Sequence, residues 1–285
     1  MAQLELYGGS SAIYRLNPFI VVKVPRSKGD RDDHAKEQAN FDIIETYERH
    51  PNLVISYHRV QFATFLEFAG ANLGFMLQEY QTRDSSTRQV LSASTAYPIH
   101  WRAEISAACA WMEKIGLAHG DLRPENIVIN GNRVKIIDFD RSVQVGSPLE
   151  IGTEPFARQL DDGSYGLAGP VTEQFAVGSI LYCLTRGFNP YEDEWFGKDH
   201  MIYLEEKFRN REFPQLGDQS WDNIIKDCWA GTFKTVQELH TQIASLVGQI
   251  ESSSLLDQTM VSQRRAECER AVENGLVRKL VQHLL

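Results

Sequence analysis

The stretch that most constrains this 285-residue chain is His119-Gly120-Asp121-Leu122-Arg123-Pro124-Glu125-Asn126, followed twelve residues on by Asp138-Phe139-Asp140. Between them, Ile127-Val128-Ile129, Asn130-Gly131-Asn132 and Val134-Lys135-Ile136-Ile137 read as a strand, an Asn-Gly hairpin turn and a second strand. Asn-Gly suits the two positive-φ positions of a tight hairpin, and branched apolar residues suit its flanks. The turn carrying Asp121 and Asn126 is therefore expected beside the turn carrying Asp138. An Asp that can accept a proton, with an Asn and a second Asp that can hold magnesium, is the set of groups that phosphoryl transfer from ATP needs.

Up to about residue 80 the chain reads as strands around one helix. Phe19-Ile20-Val21-Val22-Lys23-Val24 is a strand ended by Pro25, and Phe41, Ile44 and Tyr47 give residues 33–49 a helical period. Leu73–Tyr80 reads as another strand and Gln81–Ser94 as a polar crossing. Helical patterns follow at 100–116, 171–186, 198–209, 219–228 and 235–250, with an irregular stretch between Asp140 and Pro170. Ser252-Ser253-Ser254 reads as a joint before a last helix at about 260–285. There Val272, Leu276, Leu280 and Leu284 make an apolar stripe that is expected to dock on the α-rich part, with Gly275 as a weak point. The four cysteines have no Cys-x-x-Cys spacing and read as core thiols of a reducing compartment. A net charge of -9 with no basic tract argues against nucleic acid as a partner. No apolar run is long enough to cross a membrane and no signal peptide is read, so a cytoplasmic location is expected, with the nucleus second.

The 119–140 stretch resembles the catalytic and metal-binding loops of eukaryotic-type protein kinases, His-Arg-Asp-Leu-Lys-Pro-Glu-Asn and Asp-Phe-Gly. The resemblance implies Asp121 as catalytic base, Arg123 as a charge near the transferred phosphate, and Asn126 and Asp138 as magnesium ligands. Val22-Lys23-Val24 resembles the strand lysine that orients the ATP phosphates, with Glu37 as its helix partner. Leu6–Tyr14 aligns with the glycine-rich loop through Gly8, Ser11 and Ile13, although only Gly8 keeps a family glycine. Leu77-Gln78-Glu79-Tyr80-Gln81 resembles the hinge, which would give adenine contacts to Glu79 and Gln81.

Four departures stand out. Gly120 replaces the arginine that receives an activation-loop phosphate, so phosphorylation of Ser142, Ser147 or Thr153 has no local receptor. Asp140 replaces the glycine of Asp-Phe-Gly, either as a sterically tolerated residue or as a third carboxylate near the metals. The Ala-Pro-Glu tripeptide is missing after Gly152-Thr153-Glu154-Pro155-Phe156, and the arginine that pairs with its glutamate is Phe233 here. Joint loss avoids a buried unpaired charge and implies an apolar replacement contact. Glu173 stands where the family's central helix has an anchoring Asp.

The resemblance implies an α+β, bilobal protein-kinase-like fold over residues 4–247. Its β-rich N-lobe is expected over about 4–80 and its α-helical C-lobe over about 82–247, with a helical extension at 255–285. Tyr203–Phe213, Cys228-Trp229 and the short Ile13–Lys23 connection look most like compact fungal kinase-like proteins. The function implied is ATP- and Mg2+-dependent phosphoryl transfer to serine or threonine of a protein substrate. The acidic net charge and Glu125 favour basic substrates. A pseudokinase acting as a nucleotide-binding or scaffold module is the second reading. A small-molecule kinase of the aminoglycoside or choline type, which Gly120 would suit, is the third. The last helix is read as an intramolecular contact or as a surface for a partner or a second copy.

Overall fold

The computed structural model describes residues 3–248 and 257–284, and the Ser252-Ser253-Ser254 joint lies outside the described residues. The chain forms two compact units. The first takes the described residues of Met1–Gly70, Ile137–Arg141 and Ser252–Leu285; the second takes those of Ala71–Ile136 and Ser142–Glu251.

The first unit opens with β1 (Gln3–Tyr7), β2 (Ser11–Asn17) and β3 (Ile20–Pro25), then α1 (Arg31–Ile44), β4 (Ser56–Val60) and β5 (Ala63–Glu67). The strands form one sheet in the order β1-β2-β3-β5-β4, with every neighbouring pair antiparallel. Every residue of β3 is buried, which explains why it reads as a continuous apolar run rather than an alternating one. Lys23 pairs with Ile13 on β2 and Thr64 on β5, which places these three side chains on one face. α1 covers that face: Gln38 donates to Thr64 Oγ1 at 3.1 Å and Lys23 bonds Glu37. Val22 and Phe65 form the next pair and point to the other face.

The second unit begins with α2 (Leu73–Glu79), β6 (Gln81–Arg83), β7 (Val90–Ala93) and α3 (His100–Lys114). β8 (Leu117–Ala118), β9 (Ile127–Asn130), β10 (Arg133–Ile136) and β11 (Val143–Gln144) follow. The hairpin is present, with β9 and β10 in register from Asn130↔Arg133 to Ile127↔Ile136, but its two turn residues are Gly131 and Asn132 rather than Asn130 and Gly131, and of these three only Gly131 has a positive φ, +62°. α4 (Pro170–Arg186), α5 (His200–Arg209), α6 (Ser220–Ala230) and α7 (Val236–Val247) complete this unit. α4 is buried without a break from Glu173 to Leu184, as an all-round apolar central helix must be. At Gly178 an added Cβ would lie 2.5 Å from Cys228 Cβ, so the α4–α6 crossing depends on a glycine there. Phe233, which stands where the partner arginine of the lost ion pair was expected, is buried, and its backbone is held from α4. Buried Gln174 accepts from Phe233 N at 3.0 Å and donates to Phe233 O at 2.9 Å.

The chain then returns to the first unit as α8 (Gln258–Glu273) and α9 (Leu276–Leu280). The expected docking on the α-rich part is corrected. Val261, Cys268, Val277, Val281 and Leu284 share one core with Val22, Val24, Tyr57 and Phe65, on the face of the sheet that α1 does not cover. An apolar stripe in a sequence calls for a cover without saying which surface supplies it. The stripe breaks at Gly275, where φ is +76°. All four cysteines are buried and free. No helix of the described residues is long and apolar enough to cross a membrane.

A second correction concerns Leu73–Tyr80, which is a helix rather than a strand. Asn72 Oδ1 accepts from Phe75 N at 2.7 Å as an N-cap, and Leu73 and Leu77, one turn apart, are buried. The last strand of the sheet is β5, and the division between the units falls at Gly70, not near residue 80. Glu79 therefore ends a helix. Gln81 lies in β6, where its side chain donates to Gly187 O at 2.7 Å. Neither residue ends a strand, as the hinge expectation had it.

His34 on α1 is 6% exposed, with Nε2 3.5 Å from Thr64 Oγ1. Burial, and then the Lys23 charge, push its imidazole down to about 4. Between that value and the ordinary 6.5 the unfolded chain binds the extra proton, so stability contributed by neutral His34 is lost as pH falls through this window. His34→Gln is expected to remove this part of the acid destabilisation, up to about 3 kcal/mol near pH 4. Denaturant melts of both chains from pH 7 to pH 4 check it. The opposite contribution of Glu37 is present in both chains and cancels. Parallel curves would exclude His34 as the titrating group.

Candidate active site

In the first unit, Lys23 is the centre of a buried charge cluster. Its Nζ donates to Glu37 Oε1 at 2.8 Å and to Asp138 Oδ1 at 2.5 Å. Burial opposes the Lys23 charge, but Asp138, Glu37 and Asp140 outweigh it and hold the ammonium above its ordinary value. Burial pushes the Glu37 carboxyl up, to about 7, against the pull of Lys23. The Asp138 turn is held by α1. Phe139 is fully buried, edge-on to Phe41 with ring centroids 5.2 Å apart, and its carbonyl accepts from Asn40 Nδ2 at 2.7 Å. Asp138 itself has φ +70°, a left-handed angle that Asp tolerates better than most residues.

Gly8 closes the β1–β2 turn, its N–H donating to Ser11 O at 2.8 Å. Ile13 lies directly across from Lys23. The turn also carries Ser10, whose Oγ donates to Asp140 Oδ2 at 3.3 Å. Burial and the neighbouring Asp138 raise the Asp140 carboxyl. Asp140 thus ties the glycine-poor turn to the turn that carries Asp138. Sequence reasoning missed this pair, because residues 130 positions apart carry no local signal of contact.

In the second unit, the 119–126 turn is anchored from the start of α4. Glu173 accepts the N–H groups of His119 at 3.0 Å and Gly120 at 3.2 Å. The longer side chain therefore still grips the turn. Gly120 has φ +78°, which a glycine adopts without the strain an arginine would carry. Three donors orient the Asp121 carboxylate: Asn126 Nδ2 at 3.1 Å and Arg123 Nε at 3.3 Å on Oδ2, and Thr153 Oγ1 at 3.4 Å on Oδ1. Asn126 Nδ2 also donates to Asp121 O at 2.8 Å. With its NH2 committed to Asp121, Asn126 has Oδ1 to offer a cation. The oxygen donors of Asn126 and Asp138 are the kind magnesium takes. Of the residues singled out in the sequence, Lys23, Glu37 and Asp138 come together in the first unit, and Asp121, Arg123 and Asn126 come together in the second.

A protein kinase domain model matches residues 14–235. Among curated proteins, the chain is similar to the probable serine/threonine-protein kinase gdt2 of Dictyostelium discoideum, 23% identical over 76% of this chain and 13% of that protein. It is also similar to calcium/calmodulin-dependent protein kinase type II of Caenorhabditis elegans, 24% identical over 63% of this chain and 24% of that protein. Serine/threonine-protein kinase kin-29 of Caenorhabditis elegans is 28% identical over 59% of this chain and 20% of that protein. The chain thus spans 13% to 24% of the length of these relatives. The domain match takes in the Lys23–Glu37 pair and the whole 119–140 stretch, and the chain belongs to the protein kinase domain family.

Proposed function

We propose that the protein transfers the γ-phosphoryl group of ATP to a serine or threonine hydroxyl of a protein substrate. The observation that carries this reading is the Asp121 carboxylate, oriented by Asn126, Arg123 and Thr153. Asp121 accepts the proton of the attacking hydroxyl as its oxygen bonds to the γ-phosphorus. The bond from that phosphorus to the β-bridging oxygen breaks, and ADP leaves with the electron pair. Arg123 places positive charge beside the base, and its planar fork suits phosphate oxygens. Lys23, fixed by Glu37, meets the nucleotide phosphates. Gly8, Ser11 and Ile13 line the turn and strand beside it. Asn126 and Asp138 are the residues that would hold magnesium, which would neutralise phosphate charge when bound. With Glu79 and Gln81 removed from the hinge, the backbone of Glu67–Ala69, directly after β5, is the segment we assign to adenine.

A second reading, a nucleotide-binding or scaffold pseudokinase, is favoured by the Ser10–Asp140 bond, which puts a side chain across the turn meant for phosphates. Thermal melts separate the two from a chain with no nucleotide site. A ligand that binds only the folded state at 100 times its Kd stabilises it by about 2.7 kcal/mol. Millimolar Mg-ATP is expected to raise the melting temperature of the natural chain, and Lys23→Ala or Asp138→Ala to abolish the shift. No shift at millimolar Mg-ATP would sink phosphoryl transfer and nucleotide binding alike and leave only a scaffold; a shift without transfer to any protein substrate leaves the nucleotide-binding pseudokinase.

A further inference from the structure

A cavity of about 380 Å³ in the second unit has Asp121 and Thr153 in its wall, together with Arg158 and Arg211. Much of the rest is apolar, including Leu149, Phe156, Leu160 and Phe175. Arg158 is half-buried and Arg211 exposed. Among the described residues neither guanidinium has a carboxylate within ion-pair distance, whereas nearby Lys207 pairs with Glu212 at 3.1 Å and Arg209 donates to Gln159 at 2.6 Å. Burial and the charge of Arg211 both work against the Arg158 charge, with Asp161 partly offsetting them. The Asp121 carboxylate offers no relief, since Asn126, Arg123 and Thr153 already engage it. Two guanidinium groups that repel one another, next to an apolar surface and sharing a cavity with the base, make a receptor for an anion attached to an apolar chain.

We propose that this cavity selects protein substrates bearing an acidic or phosphorylated side chain next to an apolar one, close in sequence to the acceptor hydroxyl. The local charge thus reverses the preference for basic substrates that the net charge of -9 suggested. The proposal rests on the phosphoryl-transfer reading for the identity of the acceptor, while the binding it requires can be measured without transfer. Fluorescent serine peptides carrying one leucine would be compared with Glu, phosphoserine, Ala or Lys placed in turn at each position flanking it. Anisotropy on the full-length Asp121→Asn chain, which holds peptide without turning it over, reads binding. The Glu or phosphoserine series is expected to bind about tenfold more tightly than the Lys series at the best position. Which of the two binds more tightly tells a carboxylate site from a phosphate site. Adding Arg158→Ala and Arg211→Ala should level the series. Adding Arg158→Glu and Arg211→Glu should turn the preference toward Lys, a reversal that misfolding does not produce. Equal binding of all series, no binding of any, or a preference that survives both pairs of substitutions would overturn the proposal. Selective binding without transfer by the natural chain would instead refute the phosphoryl-transfer reading alone. Transfer to every peptide alike would refute only the selectivity.

Discussion

Asp121→Asn is expected to lower phosphoryl transfer about 10³-fold while leaving the Mg-ATP thermal shift intact, since a positioned general base contributes roughly 10²–10⁴. The substitution is close to isosteric, and the contacts around it accommodate an amide. Its oxygen can take the place of Oδ2, which accepts from both Asn126 and Arg123. Its NH2 then faces Thr153 Oγ1, a hydroxyl that can accept as readily as it donates. The turn should therefore keep its shape and lose only its capacity to take a proton. Initial rates on a protein substrate, read beside melts with and without Mg-ATP, test both halves of the expectation. A rate within a few-fold of the natural chain would remove Asp121 as the base. A lost thermal shift would mean that the substitution had disturbed the nucleotide site itself.

How much of this was legible in the sequence depends on how far apart the partners lie. His119–Asn126 and Asp138 are short-range signals: a fixed spacing across a hairpin whose turn residues are themselves diagnostic. Lys23 and Glu37 were legible because they are only 14 residues apart, one on a strand too apolar for a stray lysine and the other one turn before Phe41 on a helix. Leu73–Glu79 failed because its apolar residues crowd together without a clear period. The deciding signal was Asn72, a cap residue that marks a helix start. With β5 overlooked, Leu73–Tyr80 was read as the strand that ends at a hinge, and the expectation for Glu79 and Gln81 rested on that strand. The Ser10–Asp140 bond and the shared cavity of Arg158 and Arg211 could not be read at all. Each joins residues with no common element, and only the folded chain brings them together.

Removing the chain from Asp257 onward is expected to unfold the first unit at ordinary temperature. The segment buries Val261, Cys268, Val277, Val281 and Leu284 against one face of the sheet. At about 1.5–3 kcal/mol for each large apolar side chain, the burial amounts to roughly 10 kcal/mol as an upper value. Whole domains are stable by only about 5–15 kcal/mol, so this loss alone approaches the total. The strands would lose as well, because Val22, Val24 and Phe65 would meet water on the uncovered face. Polar ties go with the helices: Asn17 to Glu267 at 2.9 Å, Arg265 to Tyr57 O at 3.0 Å, and Arg264 stacked 4.0 Å from the Phe19 ring. One tie reaches toward the chemistry. Arg31, the first residue of α1, donates to Leu284 O, and α1 carries Glu37. A milder change, Val281→Asp, should therefore lower the melting temperature and also weaken the Mg-ATP shift, because a loosened α1 no longer fixes Lys23. Calorimetry of the truncated and substituted chains reads the first effect, and melts with Mg-ATP read the second. A truncated chain that melts as a monomer within a few degrees of the full one would show that α8 and α9 are not part of this core. Val281→Asp with normal stability but no shift would instead separate the tail's effect on α1 from its effect on folding.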